Sequence, residues 1–326
     1  RLRADPKMWL WLIQFLSNCS AKRYTATKRD LLELAKHSTR LMTEVVKSTN
    51  IKFDYGSQGI LHLYGGEKSL AEAVKAEEKT PDEKQRGEVL DYADCLVAEP
   101  ALAQSQVKYA GGILHSHEHT GDAHKFTLAL SKLLEQEGVE FRYGVSVKNL
   151  LINGDKILGV ITSAGVQKAD VLVVSAANDS VRLLKTASLN IPVYPVKGYS
   201  ITVPTGGYNG APKLSVHDHE RKLGFTRLGE RLRVAGTAEI GARDNVISPA
   251  RIRALLNHTK KVFPNAGHLD SAEPWAGLRP MTPDGAPIIS GTKYSNLFVN
   301  TGHGSLGWSL SCASGHMIAN LVAGRP

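Results

Sequence analysis

The stretch LFVNTGHGSLGWSLSCASGHMIANLVA, residues 297–323, reads as a short apolar strand (297–300), a loop with glycines at 302, 304 and 307, and a helix from about 307 to 323. A helix start leaves backbone N–H groups unpaired and carries partial positive charge, and glycines let a ligand come close to the main chain. Gly302, Gly304 and Gly307 form a formal GxGxxG. As a dinucleotide fingerprint the match fails, because that motif opens a βαβ unit and needs an acidic residue about 20 positions later. Only 19 residues follow Gly307, none is acidic, and the last carboxylate side chain is Asp284. The loop is then either a rim of donors for a ligand edge or an ordinary tight turn.

Working outward, residues 139–143 read as a strand after a helix (122–138) that Asp122 caps and Gly138 stops. Residues 145–152, 157–162 and 169–174 read as a β-meander with turns at Asn153-Gly154-Asp155 and Ala164-Gly165. Its last strand is a continuous apolar run, the pattern of a strand buried on both faces. Between 191 and 238 the pattern is again β, with short glycine turns that suit an antiparallel sheet, and a helix follows at 249–263. Toward the N-terminus, 51–64 reads as a hairpin, residues 67–87 as a charged surface helix and linker carrying Pro81, and 27–47 as an amphipathic helix capped by Thr27. Asp5-Pro6 starts a helix through MWLWLIQFL (8–16). That helix is expected to be buried on most sides; an interfacial position with Trp9 and Trp11 at a membrane surface is the other reading. β-rich blocks alternate with α/β blocks, which implies a discontinuous pair of domains.

Length and composition fit two folded domains. The 326 residues are 42% hydrophobic and 22% charged, which excludes a disordered or collagen-like chain. Forty Lys+Arg against 31 Asp+Glu give a net charge of +9, favouring acidic ligands or anionic surfaces. Cys19, Cys95 and Cys312 are odd in number and far apart, which argues against a disulfide framework. No apolar run reaches the ~18–20 residues a spanning helix needs. Spread-out charge and sparse aromatics discount a nucleic-acid partner.

Three sites of chemistry stand out. Donors in the 302–307 loop suit a flavin's N1–C2=O edge, which gains negative charge on reduction. Arg279 sits in Gly277-Leu278-Arg279-Pro280-Met281-Thr282-Pro283-Asp284-Gly285, a stiff, loop-like stretch. An Arg held rigidly is a bidentate clamp for a carboxylate; a salt bridge to an internal Asp or Glu is the alternative. Histidines cluster as His115, His117, His119 and His124, and again as His217 and His219 beside Asp218 and Glu220. Such imidazoles could bind a divalent metal, or lie on a solvated surface; the surface reading is preferred, and no metal is assigned. There is no HExxH, P-loop or G-x-S-x-G, and Gly236-Thr237-Ala238 carries no nucleophile elbow.

Taken together, Tyr194-Pro195-Val196-Lys197-Gly198-Tyr199-Ser200, Gly277–Gly285 and Asn300–Gly307 with Trp308 resemble the D-amino-acid dehydrogenase branch of the FAD-dependent D-amino-acid oxidase and glycine oxidase family. Trp9-Leu10-Trp11, Glu99-Pro100-Ala101-Leu102 and Thr120-Gly121-Asp122 extend the likeness along the chain. The resemblance implies an α/β (α+β) protein: a discontinuous Rossmann-like FAD domain (120–189 and 274–326), an antiparallel β-sheet substrate domain with helices (51–119 and 190–273), and helices in 1–50 packing between them. It implies oxidative deamination of a D-amino acid to a 2-oxo acid and ammonia, electrons passing to a respiratory acceptor such as a quinone. Arg279 matches the carboxylate-binding arginine, and Tyr199 lies in the substrate-domain motif. Gly302, His303, Gly304, Ser305, Leu306 and Gly307 match the flavin-contacting loop. Val147 matches the adenine end, and Ala176 and Ala177 the small residues lining the cofactor. The chain begins inside the family's pattern, at Arg1-Leu2-Arg3-Ala4, so the first βαβ unit with its GxGxxG is expected to be missing. A cytoplasmic site with peripheral contact at the inner face of the membrane is expected. Three alternatives stay open: an oxygen-using glycine/sarcosine-type amine oxidase, an inactive fragment without bound cofactor, and a metal-dependent hydrolase.

Overall fold

The computed structural model describes residues 5–80, 83 and 86–325; Arg1–Ala4 and Pro81, singled out above, lie outside the described residues. In chain order the elements are α1 (Pro6–Asn18), α2 (Ala21–Thr49), β1 (Ile60–Tyr64), α3 (Glu67–Glu78), β2 (Glu88–Asp91), α4 (Tyr92–Ala98), β3 (Gly111–His115) and α5 (Ala123–Gln136). Then follow β4 (Val147–Asn153), β5 (Lys156–Thr162), β6 (Gly165–Lys168), β7 (Leu172–Val174), α6 (Asp179–Lys185), β8 (Tyr194–Pro204), β9 (Ser215–Asp218) and β10 (Leu223–Leu228). The last are β11 (Arg231–Ile240), α7 (Pro249–Val262), β12 (Glu273–Met281), β13 (Ile288–Gly291), β14 (Leu297–Thr301) and α8 (Gly307–Val322).

An eight-stranded sheet runs β12-β8-β11-β10-β9-β1-β3-β2. All its neighbours pair antiparallel except β1 and β9, which are parallel and meet over Ile60↔Ser215 to Leu63↔Asp218. Period-2 alternation gives the sheet one apolar face: Leu61, Leu63, Ile201, Val203, Val216, Phe225, Leu232 and Val234 are buried there against Leu255, Val262 and Phe263 from α7 and its end. A second core joins Leu150 and Ile157 of the β4-β5-β6 meander to Val174, Leu183, Leu297 and Val299. This core binds the meander to a small sheet of order β13-β14-β7, in which β14 and β7 are parallel.

Several local expectations are corrected. Arg279 lies on a strand: β12 pairs with β8 throughout, from Glu273↔Thr202 to Met281↔Tyr194. Pro274 and Pro280 are tolerated because β12 is the sheet's edge, where a missing N–H costs no ladder bond. The apolar run 169–174 leaves the meander and pairs with β14, and Val171 and Val173 stay exposed rather than buried. Residues 139–143 form no strand, since no strand among the described residues runs beside them. The hairpin expected at 51–64 is a single strand whose partners, β3 and β9, are distant in sequence. Helix α2 starts at Ala21 and runs through Thr27, since 21–26 contains no breaker and Ala, Lys and Arg propagate a helix well. Asp122, as expected, caps α5 through His124 N and Lys125 N, both at 3.0 Å.

Helix α1 is not buried on most sides. Asp5 caps it as expected, but only Met8 and Trp11 are buried, while Leu10, Ile13 and Leu16 are 59%, 64% and 68% exposed.

The large sheet depends on its apolar face. Phe225 is fully buried and packs edge-on against Phe263, with ring centroids 5.1 Å apart. Replacing Phe225 by Ala is expected to cost about 3–5 kcal/mol, read as a lower urea midpoint with an unaltered slope.

Candidate active site

The edge strand β12 and the glycine loop are stitched together directly. Gly304 N donates to Pro280 O at 2.9 Å, and Met281 bridges to His303. Gly302 and Gly304 have φ of 82° and 55°, which other residues adopt only with strain. The space is also closed: a Cβ on Gly302 would lie 2.8 Å from Thr282 Cγ2, and one on Gly304 2.6 Å from Met281 Sδ. Leu306 N donates to His303 O at 2.9 Å, closing the turn into α8. No side chain caps α8 and no acidic residue stands in its first turn. Its leading amides and their positive end are left for a ligand.

One residue from this junction is Arg279. Gly198 is its floor: a Cβ there would sit 2.4 Å from the guanidinium carbon. Arg279 Nη1 donates to Thr237 O at 3.2 Å. Among the described residues no carboxylate pairs with it, so the internal salt bridge is not made; burial alone acts on it and pulls its pKa down. A desolvated cation with one neutral acceptor is incomplete until an anion arrives.

Thr237 was not legible as a site residue. It lies where the β11–β8 register shifts between Gly236 and Glu239, with φ of 60°. A bulge of this kind turns a carbonyl out of the ladder, and here it meets Arg279. Gly236 in mid-strand was the available signal.

Tyr199 is corrected. Side chains alternate along β8, so Gly198 and Ser200 share the face of Arg279 and Tyr199 takes the opposite one. There it is buried in the main core, its hydroxyl donating to Glu239 Oε2 at 2.5 Å. Lys197 sits nearby, its Nζ 2.7 Å from Asp244 Oδ1.

Ala176 and Ala177 follow β7 directly and come to the same junction. Thr301 Oγ1 donates to Ala177 O at 3.1 Å, and Asn178 Nδ2 donates to Leu278 O at 3.0 Å. The β7–β14 end, the 302–307 loop and the strand carrying Arg279 therefore form one wall. His303 contributes its backbone, for its ring turns onto α8, Nε2 lying 2.7 Å from Ser314 Oγ; burial lowers its pKa and favours the neutral ring. Ser305 and Leu306 are exposed at the rim. Val147 is not brought to this wall: it starts β4, packs on the second core, and its carbonyl accepts from Arg182 Nη2 at 3.0 Å.

The two histidine groups do meet, on the far part of the sheet. His62 of β1 lies between His115 of β3 and His217 of β9, with ring centroids 5.0 and 5.2 Å away. Its Nδ1 is 2.8 Å from Nε2 of His219, and its Nε2 is 3.6 Å from Glu118. His115 Nε2 is 3.7 Å from Glu77 of α3. His119 stands apart, its Nδ1 2.8 Å from the Tyr55 hydroxyl. Among the described residues no group of three or more His, Cys, Asp or Glu could hold a metal ion.

Comparison with known proteins gives this geometry a family. Residues 12–321 match the family described as FAD dependent oxidoreductase. The D-amino acid dehydrogenase of Paramagnetospirillum magneticum is 43% identical over 324 residues, covering 99% of this chain and 77% of that protein. That of Bradyrhizobium diazoefficiens is 42% identical over 329 residues, covering 100% and 77%. The glycine oxidase of Bacillus cereus superposes with a TM-score of 0.80 at 23% identity, covering 91% of this chain and 83% of that one, which establishes a shared fold. The chain belongs to the FAD dependent oxidoreductase family, whose cofactor is FAD.

The wall fits the ring end of that cofactor. Besides the bare α8 amides it presents buried polar atoms without partners, Asn178 Oδ1, Asn300 Oδ1 and Thr237 Oγ1.

Acid should loosen the histidine cluster. Burial, then the neighbouring His62, pushes His219 down to about 4; burial likewise lowers His115. Unfolded histidines take up protons near pH 6.5 while these stay neutral, so stability falls as pH drops from 6.5 toward 4. For His219 the loss at pH 5 is about 1–2 kcal/mol. His219→Gln should flatten the decline of the melting temperature between pH 7 and 5.

Proposed function

We propose that this FAD-dependent oxidoreductase oxidises D-amino acids to 2-oxo acids and ammonia, and passes the electrons to a respiratory acceptor such as a quinone. The observation that carries the reading is Arg279, a desolvated guanidinium without a carboxylate partner, one residue from the main-chain bond that anchors the glycine loop. The names of the D-amino acid dehydrogenase relatives support the substrate class.

In the mechanism Arg279 receives the substrate carboxylate as a bidentate pair, held in line by Thr237 O on one side and the Gly198 floor beneath. This fixes the substrate's Cα toward the wall formed by residues 176–178 and 302–307. The α8 amides and the 302–307 loop would hold FAD, which would supply a two-electron acceptor. The half-buried setting strengthens the ion pair and limits water around it. Among the described residues no side-chain base hydrogen-bonds or ion-pairs with Arg279, so the substrate amine must arrive neutral and the electron pair on nitrogen drives the oxidation. The imino acid released then hydrolyses in water. We ascribe the cofactor side to 120–189 and 274–326, with β12 lending its strand to the substrate sheet.

Helix α1 supports an acceptor located at a membrane. Its exposed Trp9, Leu10, Ile13 and Leu16 share the helix with Lys7, and Arg23 of α2 reaches its end at Ser17 O, a pattern that suits an interfacial helix. No helix of the described residues is long and apolar enough to cross a membrane.

Replacing Arg279 by Leu should raise KM for a D-amino acid by the equivalent of about 2–4 kcal/mol, on the order of 10²-fold; an unaltered KM removes Arg279 from the site. Activity should reduce a quinone analogue without releasing peroxide, whereas stoichiometric peroxide marks an oxygen-using oxidase. Sedimentation with anionic vesicles should carry the protein down, and Ile13→Asp should leave it in the supernatant.

A further inference from the structure

Arg279 is not the sole desolvated cation on its face of the sheet. Arg233 of β11 pairs in register with Thr202, and Thr202 with Glu273, so Arg233 shares the face that carries Trp275, Gly277 and Arg279. No carboxylate of the described residues forms an ion pair with Arg233. Burial dominates its surroundings, and the carboxylate that acts on it, Asp122, is held by Arg231 at 2.7 Å. Its guanidinium reaches back over β8 and stands 5.3 Å from the centre of the Trp275 indole.

The indole in turn leans toward Arg279. A Cβ on Gly277 would lie 2.2 Å from Trp275 Cη2, just as one on Gly198 would lie 2.4 Å from the Arg279 guanidinium carbon. Gly277 and Gly198 are register partners, so those two Cβ positions are about 5 Å apart. The Arg279 guanidinium and the indole under the Arg233 guanidinium thus converge on one glycine pair. Ser200, the register partner of Trp275, adds a hydroxyl on the same face; it is 2% exposed and its Oγ has no hydrogen-bond partner.

We propose that Arg233 is a second anion receptor in the substrate pocket, selecting amino acids whose side chain ends in a carboxylate. The inference rests on the reading of Arg279 as the receptor for the α-carboxylate. A five-carbon diacid would span the two groups: its carboxyl carbons stand about 5 Å apart, and each would lie about 4 Å from the carbon of the guanidinium that clamps it. The indole lines the space between, an apolar surface for the methylenes. An Arg stacked on an indole keeps its N–H fork free for such a ligand.

Isothermal titration of the full chain with butyrate and with glutarate tests this. Glutarate should bind at least about 10-fold tighter than butyrate. Arg233→Gln should bring that ratio to about 1 by weakening glutarate, while Arg279→Leu should abolish binding of both. Butyrate binding by the Arg233→Gln protein also shows that the pocket is folded. Equal affinities in the unsubstituted protein, or a ratio that survives Arg233→Gln, overturn the proposal. If neither acid binds the unsubstituted protein, the Arg279 reading fails and this inference falls with it.

Discussion

A half-buried guanidinium with no countercharge among the described residues sets the terms of this structure. Desolvating such a group is costly unless an anion completes it, and Arg279 has one neutral carbonyl in its place. The sheet spends several local irregularities on holding it there. Gly198 surrenders its side chain to make room, Thr237 accepts a left-handed backbone to aim its carbonyl, and β12 carries prolines on both sides of the site because it is an edge strand. None of these improves the sheet as a sheet. They make sense as preorganisation of a receptor whose ligand arrives from outside.

The same strand couples that receptor to the glycine loop. Because Pro280 O holds Gly304 N, the position of the α8 amides is fixed relative to Arg279 by one main-chain hydrogen bond rather than by flexible side chains. Two rigid elements, a strand and a helix start, thereby share a wall with the end of the β7–β14 pair. A site so built can hold a carboxylate and a flat ring in a constant relation, which oxidation at a carbon next to nitrogen requires. Membership of the FAD dependent oxidoreductase family gives the protein its cofactor, FAD.

Much of this was legible in the sequence, for identifiable reasons. Strand–glycine loop–helix at 297–323, the capped α5, the β4-β5 hairpin and the antiparallel block between 191 and 238 all carry local signals. Periodicity, caps and turn residues are properties of neighbours in sequence. The misread parts depend on partners far along the chain. GLRPMTPDG looked like a loop because prolines argue against a strand, and only its place at the sheet's edge makes the strand possible. Tyr199 was joined to Arg279 through a motif, whereas the alternation along β8 sets them on opposite faces. The 139–143 segment and the 169–174 run were read by composition, but strands exist only where a neighbour pairs with them. The histidines separated by a hundred positions meet because β1 runs parallel to β9, a pairing that no local pattern announces.

The claim at the centre is that a carboxylate on Arg279 lies against the flavin ring held by the glycine loop. Titrating the flavin-loaded protein with benzoate while recording its visible absorbance tests that claim most directly. A saturable shift of the flavin band in the unsubstituted protein, absent after Arg279→Leu, is the predicted result. The same shift in both proteins, or no shift in a protein that demonstrably holds the flavin, would contradict it.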